Sequence, residues 1–168
     1  MGDVINMERF APQENIKNYR SALSRFATGI AVVTTPGKNG PAAITINSFA
    51  SVSLDPALIL WSPDKNSARH DLFVSAEHFV VHVLAAHQRT ICDAFVKSAF
   101  AFDQVETHPN EYGVPVIEDC LAVFECRKFE AIDAGDHTIL LGEVLKASHR
   151  SGEALVFANG AFCKMPAA

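Results

Sequence analysis

Two long runs of strand-forming residues, 120–132 and 137–148, lie only four residues apart in the chain. The residues between them, Asp-Ala-Gly-Asp, are typical of a turn and are too few for the crossover that parallel strands need. The two runs are therefore predicted to pair as antiparallel strands. A second hairpin is predicted near the C-terminus, where the favoured turn Asn159-Gly160 separates two short apolar runs.

The rest of the chain favours the same mainly β architecture. Its pattern shows no regular alternation of strands with helices and no G-x-G-x-x-G, so a Rossmann domain is disfavoured. About seven strands and three short helices predict one domain, residues 1–168, built as a mostly antiparallel closed barrel. The further predicted strands are 30–35, 42–54, 57–62, 78–84, 155–157 and 161–163. The predicted helices are 14–28, Asn66 or Ser67 to about Ser75, and 86–97.

Charge and cysteine content exclude several classes of function. The net charge is −5 and no basic block occurs, so nucleic acid and anionic membranes are poor partners. The apolar runs are too short to span a bilayer, and the absence of a secretory signal predicts a cytoplasmic protein. The 4 cysteines contain no C-x-x-C pair and are expected to be small buried residues. No spacing of histidines and cysteines predicts a metal site.

Residues 45–53, Thr-Ile-Asn-Ser-Phe-Ala-Ser-Val-Ser, are unusually rich in short polar side chains for a strand. In a regular strand Thr45, Asn47 and Ser51 share one face, while Ser48 and Ala50 share the other. Neither face packs well, but small side chains let another molecule approach the backbone. A flat heteroaromatic ring would fit such a surface. A strand covered by a loop or a second subunit would also explain the pattern.

A second polar segment, Ser-Pro-Asp-Lys-Asn-Ser at 62–67, precedes a predicted helix. Free amide groups at a helix N-terminus attract anions, and Lys65 and Ser67 could add a charge and a hydroxyl to bind a phosphate. An ordinary helix cap is the alternative explanation. A single strand joins this segment to residues 45–53, so one ligand could contact both. A ring at one end and a phosphate at the other describe a flavin nucleotide.

A third segment, Ala-Gly-Asp-His at 134–137, lies between the two long strands. The turn explains Gly135 and Asp136, but it does not require His137. A histidine at the start of a strand can be a partly exposed structural residue. It can also contact a second ligand or a developing charge at the rim of the barrel.

Four segments together resemble the short-chain flavin reductases: RSALSRFATGIAVVTT, AITINSFASVSLDPALILWSPDKNS, AGDHTILLGEV and LVFANGAF. The resemblance extends from about Tyr19 to Phe162. These proteins are the reductase components of two-component flavin-dependent monooxygenases. The resemblance implies an antiparallel split β-barrel that binds FMN, a homodimer, and reduction of FMN or FAD by NADH or NADPH.

The resemblance also implies which residues form the site. In such a site hydride passes from the nicotinamide to the flavin, and the protein positions the two rings. His137 is expected to position the nicotinamide or stabilise charge, together with Gly135 and Asp136. The residues expected to contact the flavin are Thr45, Asn47, Ser48, Phe49, Ala50 and Ser51 at the ring, Ser62, Lys65 and Ser67 at the phosphate, and Phe95 at the border of the site.

Two other functions are compatible with the same residues. The flavin could stay bound and reduce another acceptor, such as a metal-corrin, because this fold is used in that way too. The domain could also be an FMN-binding electron carrier without NAD(P)H activity, although the Gly-Asp-His match argues against this. Neither the choice of FMN or FAD nor that of NADH or NADPH follows from the sequence.

Overall fold

The computed structural model describes residues 7–38 and 40–167. Within these residues the chain forms twelve strands, arranged in three antiparallel sheets, and three α-helices. The helices are α1 (Ile16–Leu23), α2 (His70–Val74) and α3 (Arg89–Lys97). The strands are β1 (Thr28–Gly29), β2 (Ala31–Thr35), β3 (Ala42–Ile46), β4 (Ala50–Leu54), β5 (Ala57–Trp61), β6 (His78–Val83), β7 (Thr107–Pro109), β8 (Pro115–Ile117), β9 (Ala122–Ala134), β10 (His137–His149), β11 (Ala154–Ala158) and β12 (Ala161–Met165).

The mainly antiparallel β architecture is confirmed, and both predicted hairpins form. β9 and β10 pair along almost their whole length around a turn at Gly135 and Asp136. β11 and β12 pair around Asn159 and Gly160, whose φ angles of 52° and 75° are those that a tight hairpin turn requires. None of the helices in the described parts of the chain is long and apolar enough to cross a membrane.

The main sheet contains seven strands in the order β3-β2-β6-β9-β10-β5-β4. Its two edge strands, β3 and β4, are consecutive in sequence and are joined by residues 47–49 alone. A flat sheet of this width would separate its edges by about 29 Å at about 4.8 Å per strand. The link between Ile46 and Ala50 reaches at most about 15 Å at 3.8 Å per residue. The sheet must therefore curl into a barrel that is split between β3 and β4.

The prediction of one continuous strand over residues 42–54 is therefore wrong. The strand is interrupted at residues 47–49, and its two halves lie at opposite edges of the sheet. A bulge between Ser51 and Ser53 further disturbs the pairing of β4 with β5. Because of these breaks, the side chains of residues 45–53 do not alternate strictly between two faces.

Three other predicted elements differ from the structure. Helix α1 spans only Ile16–Leu23, because the chain leaves the helix at Ser24 and enters β1 at Thr28. Helix α2 begins at His70 rather than at Asn66 or Ser67. Strands β1, β7 and β8 form where no strand was predicted, so the count exceeds about seven.

The interior of the barrel is filled by apolar side chains from six of the seven strands, all except β4. Trp61 lies at its centre, edge-on to Phe73 of α2 at 5.2 Å and to Phe79 at 6.0 Å between ring centroids. β10 passes Phe79 at Gly142, where a Cβ atom would lie 2.5 Å from the phenyl ring. Only glycine allows this close approach. The buried cluster comprises Ala31, Val33, Ile46, Ile59, Trp61, Phe73, Phe79, Val81, Cys126 and Leu140.

The outer face of the barrel is covered on two sides. Helix α3 and the small sheet β1-β11-β12 pack on the outward side chains of β2 and β3, with Cys92 and Phe95 at the centre. The β7–β8 hairpin packs over Val80 with Val114 and Val116. The four cysteines carry free thiols, of which only Cys163 is exposed. Burial raises the pKa of Cys120 and Cys126 to about 12, so both thiols stay protonated.

His82 connects the barrel to the β7–β8 hairpin. Its side chain is fully buried, with Nδ1 3.0 Å from the carbonyl oxygen of Val32 and Nε2 3.0 Å from the amide nitrogen of Ile117. The amide can only donate, so Nε2 accepts and Nδ1 carries the proton. Burial lowers the pKa of His82 from 6.5 to about 4, with a further lowering by His108 and an opposing contribution from the Val32 bond.

We expect acid to destabilise the protein through His82. The unfolded state binds a proton below about pH 6.5, whereas the folded state resists it until about pH 4, so stability falls as the pH falls between these values. The full loss from this residue is about 3 kcal/mol. His82→Gln keeps a donor and an acceptor but does not titrate. Urea unfolding followed by Trp61 fluorescence should therefore show a smaller pH dependence in the variant, and equal pH dependence would contradict this assignment.

Candidate functional site

The link between the two edge strands forms the floor of the candidate site. Ser48 lies in this link and accepts a hydrogen bond from the amide nitrogen of Ser62, at 3.0 Å. Because Ser62 directly follows β5, this bond joins the two sides of the split in the barrel. Asn47, Ala50 and Ser51 around it are exposed. The small polar residues therefore lie at the split itself, where no large side chain from the link covers the backbone.

A pocket of about 200 Å³ adjoins this link. Thr45 and Asn47 line one side of it, and Phe157 and Phe162 of the β11–β12 hairpin line the other. The two phenyl rings meet edge to face, with 5.1 Å between centroids. Ile30 and Ile46 complete the lining. Two aromatic rings opposite short polar side chains form a surface that suits a planar heteroaromatic ring.

The aromatic wall of the pocket is supported from two directions. The guanidinium carbon of Arg89 lies 3.5 Å from the ring centroid of Phe162, in cation–π geometry. At the hairpin turn, Asn159 donates its backbone amide to the Ser24 carbonyl at 2.8 Å and accepts from the Arg25 guanidinium at 3.0 Å. The segment that follows α1 therefore contacts the hairpin that carries the pocket wall.

The segment 62–67, expected to bind a phosphate through free amides at the start of a helix, has a different geometry. The amide of Asn66 donates to the Asp64 carboxylate at 2.8 Å, and that of Arg69 donates to the Ser67 hydroxyl at 3.2 Å. Because the amides are already engaged and α2 has only 5 residues, the helix dipole offers no anion site here. The Ser67 hydroxyl accepts from Arg69 and keeps its own hydrogen to donate.

His137 begins β10, as the sequence predicts, and its side chain is 41% exposed. Its Nδ1 lies 2.8 Å from the Asp136 carboxylate, which orients the ring and leaves Nε2 outside this bond. This hydrogen bond with His137 lowers the pKa of the Asp136 carboxyl. Gly135 precedes them with a φ of 68°, which closes the turn. The imidazole is therefore held in a defined orientation at the rim of the barrel.

The structure brings the second and third predicted segments together. Asp64 and His137 form an isolated antiparallel bridge, and the amide of Lys65 donates to the Asp136 carbonyl at 2.9 Å. The segment 62–67 thus lies alongside the turn at Gly135–His137. Ser62 at its beginning bonds Ser48, so this segment contacts both of the other two.

The two aromatic residues predicted to contact the flavin both pack on the apolar core. Phe49 stacks on Phe124 at 5.6 Å, and its ring packs on the core inside the barrel. Phe95 is fully buried on the inner side of α3, and its carbonyl accepts a hydrogen bond from Arg69. Phe95 can therefore reach a ligand only through the residues packed on it, whereas the ring of Phe49 is only half-buried.

Phe157 and Phe162 were not among the residues expected from the sequence. Their segment, LVFANGAF, carries part of the resemblance, and its two phenylalanines are the signal that could have identified them. In the parts of the chain that the structure describes, no group of three histidine, cysteine, aspartate or glutamate side chains lies close enough to bind a metal ion.

Comparison with known proteins gives matches over almost the whole chain. The flavin reductase like domain matches residues 23–166. A protein of Agrobacterium fabrum named FMN reductase (NADH) SmoA is 53% identical over 149 residues, which are 89% of this chain and 86% of that protein. The reductase component of a flavin-dependent trigonelline monooxygenase from Acinetobacter baylyi is 40% identical, and the match spans 88% of this chain but only 48% of that relative.

Two solved structures are similar to the whole fold. The NADH:FAD oxidoreductase SgcE6 of Streptomyces globisporus has a TM-score of 0.88 and 34% identity, covering 96% of this chain and 94% of that one. BorF, the flavin reductase component of a bacterial two-component tryptophan halogenase, has a TM-score of 0.83 and 37% identity, covering 90% and 99%. The curled sheet with its split is the split-barrel fold of these proteins. This chain belongs to the flavin reductase-like domain family.

Proposed function

We propose that this flavin reductase binds the flavin ring at the split of the barrel, against residues 45–51. The observation that carries the proposal is the pocket between Thr45 and Asn47 on one side and Phe157 and Phe162 on the other. Its aromatic wall can stack on a flavin ring, and the polar side chains and exposed backbone of the link can bond the polar edge of that ring. Ser48, Ala50 and Ser51 keep the approach clear of bulk.

The phosphate end of the flavin is assigned to the segment that starts at Ser62. The hydroxyl groups of Ser62 and Ser67 are the donors that this segment offers, and both side chains are only half-buried. Ser62 adjoins the ring site through its bond to Ser48, so a ring and its phosphate can reach both places.

The nicotinamide is assigned to the turn at Gly135, Asp136 and His137. When both ligands are bound, hydride passes from the nicotinamide to the flavin, which requires the two rings to stack closely. Asp136 orients the imidazole of His137 through Nδ1, which leaves Nε2 available to a ligand. His137 therefore positions the nicotinamide or stabilises charge, and it need not transfer a proton.

The reduced flavin is proposed to serve a separate oxygenase. Support comes from the names of similar proteins, which include reductase components of a trigonelline monooxygenase and of a tryptophan halogenase. Reduction of free flavin, with release of the product, is the behaviour that such a role needs. The alternatives of a retained flavin or an electron carrier without NAD(P)H activity have no specific feature of this site in their favour.

A homodimer is part of the proposal, and an uncovered apolar face supports it. Leu58 and Leu60 alternate along β5 with the buried Ile59 and Trp61, so they point out of the barrel. Leu141 pairs with Leu60 across the strands and points the same way. All three leucines are only half-buried within the chain. A twofold partner would bury this face and could cover the neighbouring flavin site.

A cytoplasmic location belongs to the same proposal. The free thiols of all four cysteines fit a reducing compartment, and the required NAD(P)H is available there.

The reaction and the role of His137 can be tested together. Purified protein mixed with FMN and NADH under nitrogen should bleach the flavin absorbance near 450 nm, roughly, over many turnovers. His137→Ala should lower kcat/KM for NADH by about tenfold, or about 1.4 kcal/mol, while FMN affinity is retained. His149→Ala, in an exposed histidine of the same strand, is the matched control. Unchanged kinetics in His137→Ala would contradict its role, and no bleaching by the wild type would contradict the reductase function.

The position of the flavin ring can be tested at Ala50. A leucine side chain there would occupy the space above the link, so Ala50→Leu should weaken FMN binding by about tenfold. Trp61, the only tryptophan, lies next to Ser62, so quenching of its fluorescence reports FMN binding. Ala147→Leu, at an exposed alanine of β10, is the control. Equal losses of FMN affinity and of stability to urea in Ala50→Leu would show that the stretch is merely structural.

The dimer can be tested by a charge on the apolar face. Leu60→Lys should shift the mass measured by light scattering from dimer to monomer, because a buried unpaired ammonium strongly opposes association. Met165→Lys, an exposed position on β12, should leave the dimer intact. A wild-type protein that has monomer mass at all concentrations would refute the dimer.

A further inference from the structure

Lys65 is attached at both ends to the turn that precedes His137. Its ammonium Nζ lies 2.7 Å from the Asp133 carboxylate and 2.7 Å from the carbonyl oxygen of Gly135. Its backbone amide donates to the Asp136 carbonyl at 2.9 Å. These three bonds reach three of the four residues that lead up to His137.

These contacts make Lys65 a poor ligand for a phosphate. An ammonium has three hydrogens to donate, and two of them are already directed at Asp133 and Gly135. The carboxylate also neutralises the charge that would attract a phosphate, and it would repel an anion brought to the same nitrogen. The expected role of Lys65 at the flavin phosphate therefore conflicts with the geometry.

Further bonds hold the same two segments together on the other side of His137. The amide of Thr138 donates to the Pro63 carbonyl at 3.1 Å, and its hydroxyl lies 2.9 Å from Nε2 of His70. Thr138 is buried, so these bonds are shielded from water. His137 thus lies between two sets of hydrogen bonds, and both sets connect to residues between Pro63 and His70.

We propose that Lys65 and Asp133 are a pair of positioning residues, which hold the His137 turn against the segment that borders the flavin. In this role Lys65 sets the place of the nicotinamide relative to the flavin and does not bind the flavin phosphate. The inference rests on the proposed assignment of His137 to the nicotinamide. It concerns how the flavin site is held relative to the nicotinamide site. The reductase activity itself is tested separately, by NADH oxidation with the wild-type protein.

The two possible roles of Lys65 predict opposite patterns. A phosphate ligand would distinguish FMN from riboflavin, which has the same ring without the phosphate. Its loss would weaken FMN binding only, and removal of the Asp133 charge would leave FMN binding intact or strengthen it. A positioning pair acts as a unit, so the loss of either partner should slow the nicotinamide step by the same factor. Neither loss should change the affinity for FMN relative to the affinity for riboflavin.

The experiment compares Lys65→Met, Asp133→Asn and the double variant. We expect each single variant to lower kcat/KM for NADH by about fivefold to tenfold, and the double variant to lose no more than either single one. Dissociation constants for FMN and for riboflavin, measured by quenching of Trp61 fluorescence, should keep their wild-type ratio in all three. The matched controls are Lys164→Met and Glu153→Gln, which remove an exposed ion pair outside the site.

The result that overturns the inference is a selective loss of FMN affinity in Lys65→Met, with riboflavin affinity and Asp133→Asn unaffected. Wild-type NADH kinetics in both single variants would overturn it equally. If the wild-type protein itself fails to oxidise NADH with added flavin, the reductase function fails instead. The ratio of the dissociation constants for FMN and riboflavin still decides whether Lys65 binds the phosphate, because its measurement needs no turnover.

Discussion

The short link between the edge strands is the constraint on which the rest of the structure depends. Residues 47–49 must join β3 to β4, which stand at the two ends of a seven-stranded sheet. A link of this length forces the sheet to curl, and curling encloses Trp61 and the aromatic side chains around it. The same link leaves the split where the backbone is accessible. Stability and ligand access therefore originate in one stretch of the chain.

The position of that stretch explains its composition. Bulky side chains would stabilise an ordinary strand, but at the exposed positions 47, 50 and 51 they would fill the split and block the pocket beside Phe157 and Phe162. The barrel obtains its core from other strands, so this segment can be small and polar without loss of the fold. Ser48 adds a direct hydrogen bond across the split to Ser62.

Local signals made part of this structure predictable, and non-local contacts made the rest unpredictable. The β9–β10 and β11–β12 hairpins follow from turn residues next to strand runs, such as Asn159 and Gly160. The break at residues 47–49 was missed because a continuous strand and two strands at opposite edges share one local pattern. The start of α2 was misplaced because Asp64 and Ser67 bond the nearby amides within a loop.

In the candidate site, too, local features were predictable and non-local contacts were not. The turn residues before His137 identified its position, and its bond to Asp136 requires only neighbours in sequence. The partners of Lys65 lie about seventy residues away, and their contact depends on the register between β5 and β10. No local pattern specifies that register, so the sequence alone could not predict these contacts of Lys65.

The attachment of the pocket wall has a mechanical consequence. The turn of the β11–β12 hairpin is held through Asn159 to Ser24 and Arg25, at the end of α1. That helix buries none of its own residues in this chain, so little packing energy resists its displacement. The tip of the hairpin is therefore more easily displaced than its base, where Leu155 and Val156 are buried. A pocket wall that can bend at one end widens at low cost, which would let a single ring site accept flavins that differ in the size of their nucleotide tail.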